Sequence, residues 1–397
     1  MRRGAWHQCG DRSQILVEEQ LAQKVGVGVI ISPRDLSRDN AIAYAKRYKA
    51  LGAEVLLDHQ YYNPEFTNAK FDSYPISRFR KGVSSLNKIS DQDLTDFTNE
   101  LRVDNESMKA DAVIAPAVVY EAGRMDILQL NARLFSASKR VANDLKLPIY
   151  ATIVLGHSVT SADQPLQAVL SYATALNSDG WYFGFEFEGE RLPSVRETVK
   201  RCCVAGLTLA CTGKPVLHAY AGPMGLLSFG FGATGVAIGH SQNLWQFTRG
   251  RWMEAASQGG GGDAPARFFS SALWGTIIHP DETVRLPPNL RDQVLTLSPF
   301  SIPVTSNLPW SRWDSGKHLV YMLAKQFTAM ATEKDPRKNA QTAIDLLDRA
   351  ISLHADIQKI ESLGDNTSAY QANWKAALEE LLRENQGDFD FFDLSQI

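Results

Sequence analysis

The chain has 397 residues, 41 Lys+Arg against 44 Asp+Glu, a formal charge of −3 and 44% hydrophobic residues. This composition excludes an intrinsically disordered chain, a collagen-like repeat and a disulfide scaffold. It also lacks the globally basic surface that most simply marks a nucleic-acid protein, although a local basic groove is compatible with it.

No apolar run reaches the roughly 18 residues of a bilayer span, and Met1 to Arg12 lacks the apolar core of a signal peptide. Cys202, Cys203 and Cys211 fall within one predicted helix and Cys9 stands alone, which is neither a zinc spacing nor a disulfide framework. A cytoplasmic protein with no membrane association is expected, and no cofactor is called.

Strand and helix signals alternate from residue 14 to about residue 280. A helix over Gln14 to Lys24 leads into an apolar strand, Val27 to Ser32. A helix over Asp39 to Leu51, closed by Gly52, precedes a second strand at Glu54 to Asp58. A polar helix begins at Ser90, where Ser90-x-x-Asp93 resembles a capping box, and a third strand covers Ala112 to Ala115. Further strands are predicted over Pro148 to Leu155, Trp181 to Glu188, Pro215 to Tyr220, Gly235 to Gly239 and Leu273 to Ile278. Helices over Leu128 to Leu145, Gln164 to Asn177 and Leu192 to Ala210 lie between the earlier of these.

Eight apolar strands separated by helices predict an α/β fold, a (β/α)8 TIM barrel over residues 1–285 with an N-terminal helix. An open doubly wound sheet would need a Gly-rich dinucleotide turn after its first strand; Ser32-Pro33-Arg34-Asp35 stands there instead. Residues 286–397 form a loop region followed by an α-helical C-terminal extension. Apolar residues recur at three- and four-residue spacing over Leu319 to Ala331, Pro336 to Leu353 and Tyr370 to Leu382. These helices are expected to pack on the barrel and to offer a face to a protein partner or a second copy of the chain. The long loop 61–90 follows a strand's C-terminal end and is a candidate substrate lid.

In a barrel the chemistry gathers at the C-terminal ends of the strands. Alternation along residues 181–188 turns Trp181, Phe183, Phe185 and Phe187 toward helices and Tyr182, Gly184, Glu186 and Glu188 toward the centre. Inward carboxylates are costly unless paired or used, so Glu186 and Glu188 join Asp58 as candidate catalytic groups; pairing with an Arg such as Arg34 would account for Glu186 equally. Asp58 and Gln60 share the inward face with Leu56, and Tyr61 or Tyr62 is placed to stack on a ring. Arg34 offers a guanidinium to a carboxylate or phosphate.

His157, His218, His240 and His279 fall near strand ends with Tyr220, but no HxH or HxxxH spacing supports a metal, and none is called. Gly222 and its neighbouring glycines permit close backbone approach to a ligand. Arg78, Arg80, Lys81 and Lys88 form a basic strip in the long loop. With Arg249 and Arg251 beside Trp245 and Trp252, they are candidate contacts for nucleic acid.

The order of these motifs resembles the tRNA-guanine transglycosylase superfamily. Gly180-Trp181-Tyr182-Phe183-Gly184-Phe185-Glu186 is similar to that family's Gly-Gly-Leu-Ala-Val-Gly-Glu strand. Lys214-Pro215 through Gly222-Pro223 is similar to its Lys-Pro…Gly-Val-Gly-x-Pro segment, and Gly235 to Ser241 lies where it has Gly-Ile-Asp-x-Phe-Asp-x. Leu57-Asp58-His59-Gln60 and Thr152 to Gly156 resemble two further motifs more loosely.

The resemblance implies a barrel that binds a nucleobase or nucleotide and exchanges a guanine or 7-deazaguanine-type base. Asp58 matches the first motif's aspartate and Gly184 the base-binding strand. The chain departs from the family at Gly239 and His240, where the nucleophilic aspartate would fall, at Leu155 in place of a glutamine, and in lacking the zinc-binding cysteines. Those departures carry the alternative expectation: a catalytically inactive barrel acting as a nucleic-acid- or protein-binding subunit. An unrelated barrel hydrolase with a carboxylate pair is a third reading.

Overall fold

A computed structural model of the chain describes residues 1–10, 12–63, 66, 68–79, 90–187, 192–241, 244–252, 265–306, 308–361, 363 and 368–390. Eight parallel strands form the centre: β1 Gly4–Gln8, β2 Gly28–Ile31, β3 Glu54–Leu57, β4 Val113–Ile114, β5 Ile149–Leu155, β6 Gly180–Phe185, β7 Val216–His218 and β8 Gly235–Ile238. Their order, β3-β2-β1-β8-β7-β6-β5-β4, brings β3 and β4 to the two ends of the sheet.

Asp111 joins those ends. Its backbone N–H donates to Val55 O at 2.9 Å, its Oδ2 accepts from Val55 N at 2.6 Å, and Lys49 Nζ holds the same carboxylate at 2.7 Å. The sheet is thereby a nearly closed TIM-type barrel with helices alternating around it.

The strand count matches the prediction, but its membership is shifted by one. Gly4–Gln8, assigned no element from the sequence, is the first strand and pairs with both β2 and β8. Leu273 to Ile278, read as the eighth, contributes instead to an antiparallel hairpin, β9 Arg267–Ser270 with β10 Gly275–Ile278, outside the barrel. The missed strand has no apolar run to read. Trp6 and Gln8 face the barrel interior, while outward-facing His7 settles its ring Nε2 on Val25 O at 2.8 Å.

The interior is packed in layers. Trp6, Ile30, Leu56, Tyr150, Tyr182, Leu217 and Ala237 form one apolar cluster inside the wall, and the intervening strand residues meet the surrounding helices. Two large rings fit because glycine faces them. A Cβ on Gly28 would lie 2.3 Å from the Trp6 ring, and one on Gly180 would lie 2.3 Å from the Tyr150 ring.

The extension is built from helices Arg312–Thr332, Pro336–Gln358 and Ala369–Glu384. The first opens on a capping box between Ser311 and Asp314. Trp374, Leu378 and Leu381 are buried in the core cluster that also holds Cys202, Cys203 and Leu209 of helix Arg196–Ala210, and Trp374 Nε1 donates to Pro193 O at 2.8 Å. Their apolar faces are therefore used within the chain. Among the described residues no helix is long and apolar enough to cross a membrane.

Candidate functional site

The C-terminal mouth of the barrel is organised around one carboxyl group. Asp58, the residue after β3, is 2% exposed. Its Oδ2 accepts from Tyr62 at 2.8 Å, Tyr182 at 3.0 Å and Tyr220 at 3.3 Å, and its Oδ1 accepts from the backbone N–H of Gln60 at 2.9 Å. Gln60 Nε2 donates to Tyr220 at 2.8 Å, and its Oε1 accepts from Arg34 N at 3.1 Å. Beneath this group, Tyr182 also reaches Gln8 Oε1 at 3.4 Å, and Gln8 Nε2 donates to Ser32 Oγ at 3.0 Å.

Burial pushes the Asp58 pKa up, opposed by hydrogen bonds from Tyr62, Gln60 and Tyr182. Gln60 and Tyr220 both hold left-handed backbone, at φ 54° and 53°. For residues with full side chains that conformation is strained, and here it flanks the polar centre on both sides.

A lid of aromatic rings covers the carboxyl. Tyr62 meets Phe247 at 4.8 Å and Trp252 at 5.0 Å between ring centroids, and Phe247 stacks on Trp252 at 4.9 Å. Arg34 Nε donates to Arg251 O at 2.7 Å, and Asp35 pairs with both guanidiniums, at 2.8 Å from Arg34 and 3.4 Å from Arg251. The Arg251 guanidinium sits 5.7 Å from the Tyr220 ring and 5.3 Å from that of Trp252. Desolvation lowers its pKa.

Glu186 anchors this lid. It bridges to Phe247 in parallel register, its Oε1 accepts from Arg249 N at 2.9 Å, and its Oε2 accepts from Arg249 Nε at 2.8 Å. Arg249 also pairs with Glu121. The expected arginine partner is therefore real, but it is Arg249 rather than Arg34. Arg249 and Arg251, read as nucleic-acid contacts, are both committed to the lid; the Arg251 side chain is 11% exposed.

The other sequence candidates separate. Tyr61 donates to Ile76 O at 2.6 Å, away from the carboxyl; its neighbour Tyr62 holds Asp58 instead. Gly184 lies on the inner face, where a Cβ would make only ordinary contacts, 3.6 Å from Val154 Cγ2. Gly222 has φ +47°, and a Cβ there would press to 2.6 Å from Trp245 Cβ. His157 opens a short turn, His157–Thr160, and is half-buried.

His240 lines a different cavity, beside Arg12 and Arg312. His218 faces outward, its Nδ1 2.6 Å from Ser228 Oγ, among Phe183, Phe185 and Phe231. Glu188, Arg80, Lys81 and Lys88 lie outside the described residues, as does the side chain of Arg78. Among the described residues, no group of three or more His, Cys, Asp or Glu could hold a metal ion.

Gln8, Ser32, Glu121 and Phe247 went unread as site residues, and Trp252 entered only as a neighbour of Arg249 and Arg251 in the candidate nucleic-acid contact. The first two follow from the missed strand and its neighbour. Parity did place Tyr182 inward without showing what it binds.

The buried histidines give the fold a pH dependence. Burial lowers the pKa of His7 to about 4, of His218 to about 3 and of His318 to about 4. Each group's unfolded value lies above its folded one. The stability they contribute is complete above about pH 6.5 and is lost as pH falls toward 3–4. At about pH 4.5 each is expected to cost about 2–3 kcal/mol. Urea midpoints measured from neutral pH downward should fall accordingly, and less steeply in His218→Asn. Equal slopes for the two proteins would contradict this account of His218.

Fold and mouth together define a (β/α)8-barrel protein with an enclosed aspartate–tyrosine centre. No family profile matches the sequence, and no curated protein matches it. Among solved structures it is similar to a glycerol uptake operon antiterminator-related protein from Thermotoga maritima MSB8, at 12% identity and a TM-score of 0.31, over 62% of this chain and 99% of that one. A likeness at that level carries no weight on fold or function, and the architecture rests on the strand order itself.

Proposed function

We propose that the chain is a barrel enzyme that makes or breaks an N-glycosidic bond to a guanine or 7-deazaguanine-type base, in nucleic acid or in a nucleotide. The observation that supports this reading is the Asp58 carboxyl, buried at the catalytic end of a barrel and met by three tyrosine hydroxyls. Its raised pKa makes it a better proton carrier near neutrality than a solvated aspartate.

As general acid it would protonate the departing base while water or an incoming base takes the sugar carbon. As nucleophile its ionised carboxylate would form the bond to the sugar's anomeric carbon as the bond to the base nitrogen breaks, solvent or a neighbouring tyrosine hydroxyl giving the departing base its proton. Gln60 offers an amide to a base edge, and the rings of Tyr62, Phe247 and Trp252 are of a kind that stacks on planar heterocycles. Glu186 serves this reading by anchoring the lid through Arg249.

A second reading, the catalytically inactive binding barrel, is favoured by one observation: protein donors already occupy both oxygens of Asp58. Titration with guanine and 7-deazaguanine, together with exchange of labelled guanine into tRNA, DNA and nucleosides, separates the two. The enzyme reading expects base binding and label transfer in the wild type and neither in Asp58→Ala. Binding without transfer would leave the inactive barrel. With no base bound by either protein, both readings fail.

A further inference from the structure

We infer that a pocket outside the barrel, between the end of β10 and the loop region that follows it, binds a small monocarboxylate with an apolar body. It is a cavity of about 570 Å³, within the roughly 300–1,000 Å³ of small-molecule sites. Local pieces of chain enclose it: His279 directly after β10, the turn Thr283–Arg285, and the short helices Pro288–Val294 and Ile302–Thr305.

The apolar part of the wall follows from how these pieces pack. Helix Pro288–Val294 buries Leu290 and Val294 in a cluster with Phe268 and Trp310, and Leu295 and Val304 pack against that cluster. Trp310, Leu295 and Val304 also line the pocket. So do Val284 and Leu308, which are 61% and 56% exposed. Large aliphatic side chains left in water around a cavity favour an apolar occupant that covers them. One side of the wall is already fixed. His279 Nδ1 lies 2.7 Å from Thr283 Oγ1, and its ring meets Trp310 edge-on at 6.3 Å between centroids.

The charge of the occupant follows from Arg291. It lies one turn before Leu295 on the same side of its helix, and both line the pocket. Among the described residues Arg291 has no ion pair and no side-chain hydrogen bond, and no acidic side chain lines the pocket. The neighbouring acids are engaged elsewhere: Glu282 accepts from Ile278 N at 2.7 Å, and Glu361 pairs with Arg285 at 2.6 Å. A lone guanidinium beside apolar walls matches a carboxylate, whose two oxygens it can hold side by side at a single negative charge. A phosphate dianion would bring a second charge, and no other arginine or lysine among the described residues lines the pocket to meet it. The apolar cluster beneath this pocket is separate from the one around Asp58, so the two sites stand or fall independently.

Calorimetric titration of the full chain with hydrocinnamate, naphthoate and octanoate tests the site, with the primary amide of each acid, acetate and phenyl phosphate alongside. At least one of the three acids should bind saturably. Its amide, which lacks the charge, and acetate, which lacks the apolar body, should each bind at least about tenfold more weakly. Arg291→Gln, a change at a half-buried side chain, should lose about tenfold in affinity or more at unchanged thermal stability. Leu308→Asp, at an exposed position, should weaken binding too by placing a negative charge at the wall.

An amide bound as tightly as its acid, acid affinity unmoved in Arg291→Gln, phenyl phosphate bound more tightly than hydrocinnamate, or no saturable binding of any of the three acids would overturn the assignment.

Discussion

Asp58→Ala is expected to lower the free energy of unfolding by about 3 kcal/mol, beyond any effect on activity. The carboxyl is the common acceptor for Tyr62, Tyr182 and Tyr220. Removing it leaves buried hydroxyls facing a void, and an unmatched buried donor costs about 1–3 kcal/mol. The loss does not triple because Tyr182 has Gln8 Oε1 at 3.4 Å as an alternative, and because the desolvation cost of the carboxyl disappears with it.

Asp58→Asn keeps the shape and one oxygen acceptor, so its loss should be smaller, about 1 kcal/mol. The pH dependence has a definite sign. Burial raises the Asp58 pKa above its ordinary 3.8, so its contribution is complete below that value and diminishes as pH rises through the folded pKa. The wild type should therefore gain on Asp58→Asn as pH is lowered toward about 4. Urea titrations followed by tryptophan fluorescence read both effects. Equal losses in the two variants would show that the tyrosines are not organised by the carboxylate.

The second large effect is expected at Trp374. Trp374→Ala should cost about 3–5 kcal/mol, the range for truncating a fully buried large aromatic side chain. The indole is 0% exposed, lies 4.9 Å from the Tyr370 ring and donates to Pro193 O. Tyr370 in turn donates to Trp274 O at 2.7 Å, tying this helix to the β9–β10 hairpin as well. Because one apolar cluster runs from the barrel helices through Trp374, barrel and extension should unfold together. Denaturation in two steps, with the barrel's own transition unmoved by the substitution, would contradict a shared core.

Much of this architecture was legible because its signals are short-range. Alternation along 181–187 turns Tyr182 inward and Trp181, Phe183 and Phe185 outward, and their clusters in the structure divide the same way. Asp58 and Gln60 face the centre for the same reason. Strand β1 escaped because five residues containing His7 and Gln8 show no hydrophobic period to read. The lid escaped for a different reason. Glu186 meets Arg249 and Tyr62 meets Trp252 across gaps of 63 and 190 residues, and periodicity carries no information about which distant segment folds back over a strand's end.

The wall of the barrel is uneven in a way that bears on access. Seven of its eight strand neighbours are joined by backbone ladders. At the eighth junction, between β3 and β4, no ladder forms among the described residues; Asp111 clasps Val55 from both backbone and side chain, and Leu56 and Ile114 share the interior cluster. A cylinder stitched so unequally parts first along its weakest edge. That edge belongs to the strand that ends beside Asp58, so the carboxyl sealed from water at the mouth adjoins the least stitched seam of the wall.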